Sequence, residues 1–62
     1  MDIEKKFKEV KNIKEFRMTK AVCENAVQFE SIKKLNELLN GVDEKDEQYG
    51  EILEEIEKLN KR

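Results

Sequence analysis

Sixty-two residues, 45% of them charged and 37% apolar, with a formal net charge of −2, allow one small domain (1–62) and no more. A chain of this size buries only about 60% of its unfolded surface, so stability is marginal without disulfides, a metal or a partner. Cys23 is the only cysteine and histidine is absent, which excludes a disulfide framework and leaves a poor donor set for a transition metal. Oligomerisation is the stabiliser left open. Met1-Asp2-Ile3-Glu4-Lys5 starts no apolar run suited to a signal peptide or membrane span, and one unpaired cysteine fits a reducing compartment. The expected location is the cytoplasm, with no membrane role.

The charge is unevenly spread. Residues 1–20 carry +3, residues 21–40 carry −1 and residues 41–62 carry −4. Ends of opposite sign can pack together or face different partners.

In chain order, Asp2 is a candidate N-cap and Glu4 an acid suited to the first helical turn. Ile3, Phe7, Val10 and Ile13 form an apolar stripe, flanked by i,i+4 pairs of Glu4 with Lys8, Lys5 with Glu9 and Lys11 with Glu15. No Gly or Pro occurs before Gly41, and the first stripe points nearly the same way as Ala21, Phe29, Ile32, Leu35 and Leu39. This predicts one unbroken helix over about 3–39, roughly 57 Å long. Phe16, Cys23 and Val27, with Ala26 beside them, form a second strip roughly opposite the Ile32 and Leu39 face. A helix apolar on two sides is buried on two sides.

Asn40-Gly41 marks the turn. A shorter helix over about 44–61 follows, with Asp43 as its expected N-cap and Tyr49, Ile52, Leu53, Ile56 and Leu59 as its apolar stripe. Gly50 costs about 1 kcal/mol inside a helix, which suggests a loose first turn or the close approach of a neighbouring backbone.

The fold class is therefore all-α: a helical hairpin whose long arm overhangs the short one, in a dimeric four-helix-type assembly. The alternative is a monomeric three-helix bundle with a bend near 17–20. Both bring the basic and acidic segments together. The dimer leaves Phe7, Val10, Phe16, Cys23 and Val27 as interface candidates. Lys34-Leu35-Asn36-Glu37-Leu38 before the turn resembles the hairpins of the Rop family, antiparallel four-helix dimers, over five residues. That resemblance implies only that hairpins of this length can dimerise.

Chemistry is sparse. With Ser31, Thr19 and Cys23 as single representatives of their types and no histidine, no nucleophile has an evident base. The expectation is a non-enzyme, with Cys23 as a small buried apolar residue. Aligning Gly50 with the central glycine of a calcium-binding loop puts Lys45, Tyr49 and Ile56 at ligand positions, so neither metal nor cofactor is expected. Nucleic acid is the main alternative partner, through Lys5, Lys8, Lys11, Lys14 and Arg17. Those lysines wind around the helix with Glu4 and Glu15 among them, and only one arginine is present in that half. Mimicry of nucleic acid by the acidic C-terminal segment is diluted by its four bases. The residues thus point to a small protein working through protein–protein contacts, as regulator, adaptor or inhibitor, either self-associating or bound to a larger protein.

Overall fold

The computed structural model describes residues 3–61, so the expected Asp2 cap lies outside it, as does Arg62. Four helices make up those residues: α1 (Ile3–Lys8), α2 (Ile13–Val22), α3 (Gln28–Asn40) and α4 (Glu47–Asn60). The all-α class holds. The unbroken helix over 3–39 does not, because the chain turns twice within it. Its longest dimension is 35 Å, too short for a straight helix of roughly 57 Å.

The first turn has a local cause. Asn12 adopts an extended conformation and its side chain accepts a hydrogen bond from the Glu15 N–H at 2.9 Å. The Glu15 carboxylate in turn accepts the Lys11 N–H at 2.8 Å. This is a variant of the capping box, with the return bond reaching one residue before the cap. The Val10 N–H closes the end of α1 on the Phe7 carbonyl. The expected Lys11–Glu15 helical pair is therefore replaced by a bond to the Lys11 backbone.

The second turn spans Cys23 to Val27. The Cys23 N–H ends α2 on the Thr19 carbonyl, and the Ala26 N–H bonds the Cys23 carbonyl across Glu24 and Asn25. Val27 caps α3 without a side-chain hydrogen bond. The bend anticipated at 17–20 is absent: α2 runs straight through those residues.

The third turn falls where Asn40-Gly41 placed it. Gly41 has φ of −93°, its N–H bonds the Leu38 carbonyl at 3.1 Å, and the Val42 N–H bonds the Leu39 carbonyl at 3.2 Å. The helix that follows starts at Glu47, three residues later than expected. Asp43 instead forms a local turn, accepting the Lys45 N–H at 3.0 Å, and Asp46 caps α4 by accepting the Gln48 N–H at 2.9 Å. No atom comes within 4 Å of a Cβ built on Gly50, so a close neighbouring backbone is not its reason.

The core draws on every helix. Phe7, Val10, Ile13 and Phe16 meet Leu35, Leu38, Ile52 and Leu59, with Ile3, Ala26, Ile32, Leu39, Val42 and Ile56 packed around them. Phe16, Leu35 and Ile52 are wholly buried. The Phe7 and Phe16 rings lie 5.3 Å apart, tilted by 34°. α3 packs against each of the other three helices. The Gln28 side-chain amide donates to the Leu59 carbonyl, which sets the start of α3 beside the end of α4 and makes that pair antiparallel. The overhanging strip that called for a second chain is thus covered within one chain.

Two substitutions test these assignments by chemical denaturation. Asn12→Ala should destabilise by about 1 kcal/mol through loss of the α2 cap. Gly50→Ala should stabilise by about 0.5–1 kcal/mol, because the site is helical and open. A neutral Asn12→Ala would show that the turn is held by packing alone.

Candidate functional site

Ile13 and Phe16 turn one side of α2 into the core. At 100° per residue, Met18 and Val22 fall about 200° and 240° around the helix from Phe16, on the opposite side. They are 63% and 64% exposed. Because α1 folds back against α2, that outer side borders a groove rather than open solvent. A cavity of about 400 Å³ is lined by Lys6 and Glu9 near the end of α1, by Val10, and by Glu15, Met18, Thr19 and Val22 of α2. A second cavity of about 320 Å³ is lined by Ile3, Val22, Cys23, Glu24 and Asn25. Val22 lines both, so the two concavities form one continuous strip. Its floor is apolar, and charge lies along its rim.

A second cluster joins α2 to α4. Glu55 is buried, 6% exposed, yet ionisable. Lys20 Nζ donates to it at 3.0 Å, Arg17 Nε lies at 3.4 Å and Lys58 Nζ at 3.9 Å. Arg17 also reaches Glu51 at 3.7 Å, and Lys20 Nζ sits 6.0 Å from the centre of the Phe16 ring. Burial raises the Glu55 pKa, but the Lys20 hydrogen bond and the charges of Lys20, Lys58 and Arg17 outweigh it. The carboxyl is held below the ordinary glutamate range. All of its partners are cations that keep it ionised, so this is a clamp between helices rather than an acid or base poised to react.

The sequence-derived candidates separate cleanly. Phe7, Val10, Phe16 and Cys23 are buried within the chain, and Val27 is exposed at the start of α3. Val10 and Cys23 also border the strip, Val10 in the first concavity and Cys23 in the second. The lysine row is divided between elements, with Lys5 and Lys8 on α1, Lys14 on α2 and Lys11 in the turn between them. Lys8 pairs with Glu4 at 3.8 Å, and Arg17 is turned toward α4. Among the described residues no group of three or more His, Cys, Asp or Glu side chains is placed to hold a metal, and no helix is long and apolar enough to cross a membrane. Met18 and Val22 were not legible as an outward site because, on an unbroken helix, they fall beside the stripe of Phe7, Phe29 and Ile32, which reads as buried. With the helix restarted at Asn12, Ile13 and Phe16 face the core and Met18 and Val22 face outward.

Searches of family models, curated proteins and solved structures find no match to this chain.

The clamp sets an acid limit on stability. Glu55 binds its proton less readily when folded than when unfolded, so its contribution is complete above the unfolded glutamate pKa of about 4.3. It is lost as pH falls through the lower folded value. Thermal melts should show Glu55→Gln to be less stable at pH 7 by about 1–2 kcal/mol. That is below the roughly 3–5 kcal/mol of a sealed ion pair, because Arg17 and Lys20 remain partly solvated. The variant should also show a shallower stability loss below a pH of about 4.5; an unchanged slope would assign that loss to other carboxylates.

Proposed function

We propose that this protein is a non-enzymatic helical module that acts by protein–protein contact, as a regulator, adaptor or inhibitor, through the strip between α1 and α2. One observation carries the reading. Met18 and Val22 are large apolar side chains one helical turn apart, exposed along two adjoining concavities, whereas the other exposed large apolar residues, Val27, Phe29 and Leu53, line neither of them. Scattered exposed apolar residues are ordinary, whereas apolar residues aligned along a groove mark an interaction surface. Methionine suits such a surface because its flexible thioether adapts to the group it meets.

Self-association through Phe7, Val10, Phe16 and Cys23 would require opening the core, since those residues are already covered. An apolar dimer contact would have to use this strip, the exposed Val27 and Phe29, or the exposed Leu53 of α4. Nucleic-acid binding is weakened by the pairing of Arg17 and Lys20 with Glu55 and of Lys8 with Glu4.

Photo-crosslinking in the source cell separates these readings. Benzoylphenylalanine at position 22 should give one or a few discrete protein adducts, and the same group at exposed position 57 on α4 should not. Met18→Asp should remove the adducts while leaving the helical circular dichroism intact. A nuclease-sensitive product, or equal labelling from both positions, would overturn the contact reading.

A further inference from the structure

The rim of the strip has a charge opposite to that of its surroundings. From Ile3 to Glu24 the described chain carries seven bases and four acids. Three of those acids (Glu9, Glu15 and Glu24) line the two concavities, and of the seven bases only Lys6 does. A basic segment therefore presents three of its four acids along this apolar groove. Glu15 is anchored there by the Lys11 N–H and the Asn12 cap, so its carboxylate is held in place rather than swept by side-chain motion.

Building on the contact reading above, we infer that the strip receives the apolar face of a cationic amphipathic helix. Such a helix places apolar residues at i, i+3, i+4 and i+7, matching a floor whose own anchors Met18 and Val22 are four residues apart. Lysines or arginines flanking that face meet Glu9, Glu15 and Glu24. The same acids disfavour a twofold dimer through this surface, because an isologous contact sets each acidic rim against its copy. They also disfavour an anionic membrane surface.

Three labelled peptides of about 18 residues test this, long enough for five helical turns. Each carries leucines on one helical face, with Lys, Gln or Glu at the flanking positions. Fluorescence anisotropy in low salt should show the Lys peptide binding most tightly, with affinity falling as salt rises. The Gln peptide should bind about tenfold more weakly and the Glu peptide more weakly still. Amide shifts in two-dimensional NMR should concentrate between residues 3 and 24. Exposed rim contacts are each worth about a two- to fivefold effect, so Glu9→Lys combined with Glu24→Lys should weaken the Lys peptide about tenfold and strengthen the Glu peptide. Both positions are exposed, and the peptide comparison on the unaltered chain stands even if that variant folds poorly.

Equal binding of the Lys and Gln peptides would overturn the charge selection while leaving the contact reading intact. Shifts centred on the acids of α4 would assign the binding to non-specific attraction and overturn the inference. Self-association at micromolar concentration that Met18→Asp abolishes would give the strip to a second copy and overturn it equally. Failure of all three peptides would overturn it for amphipathic helices of any charge, and the crosslinking pattern would then decide the broader reading separately.

Discussion

The structure depends on the turn that Asn12 enforces. In a continuous helix, Phe7 and Phe16 would stand about 14 Å apart along the axis, from nine residues at about 1.5 Å each. With Asn12 capping α2 and Glu15 holding the Lys11 N–H, α1 folds back and the two rings come within 5.3 Å. That reversal turns an overhanging apolar arm into one wall of a closed core. It also creates the groove, since the outer side of α2 acquires α1 as a neighbour. Core and candidate site thus have the same local origin.

Electrostatics fixes how α2 meets α4. Arg17 and Lys20, three residues apart on α2, face Glu51 and Glu55, four apart on α4. Like positions on facing helices form a short ladder that sets register, where apolar packing alone would tolerate sliding. Glu55 is the buried rung, and removing its partners would strand a charge in the interior. The ladder also pairs two bases of the first half, Arg17 and Lys20, with acids of α4. The basic excess that suggested nucleic acid is thereby partly neutralised by the protein's own acidic helix, as the opposite signs of the two segments led one to expect.

Much of this was legible in the residues, and the failures have physical reasons. The helical class, the turn at Asn40-Gly41 and the core roles of Leu35, Ile52 and Leu59 follow from breaker and apolar spacing. The unbroken helix rested on preserved phase between Ile3 and Leu39. Phase is weak evidence for continuity, because each short helix needs its own apolar face and two such faces can agree by chance. Asn12 followed by Glu15 was a readable start signal, and the competing role of Glu15 as an interior i,i+4 partner of Lys11 hid it. The turn at Cys23–Val27 carries no comparable signal. It has no Gly or Pro, and Val27 lacks a capping side chain. Only Asn25 hints at a turn there, so tertiary packing decides it. Asp43 and Asp46 were both credible caps, and the local turn that Asp43 makes with Lys45 leaves Asp46 to begin α4.

The placement of the strip ties binding to folding. α1 has only six residues, too few to persist as an isolated helix, so it is held by Phe7 and Ile3 against the rest of the chain. The groove exists only while α1 is docked, since Lys6 and Glu9 form one side and Met18 and Val22 the other. A ligand spanning both sides therefore binds the closed arrangement and not the unfolded chain, and mass action adds its free energy to the stability of that arrangement. A chain with so small a core gains most from such a contribution. Exposing Met18 and Val22 sacrifices some stability in the free chain, and an occupant of the groove would restore it. Were the strip to hold a ligand, surface and fold would be parts of one equilibrium, in which the occupant covers Met18 and Val22 and the docked α1 is stabilised with it.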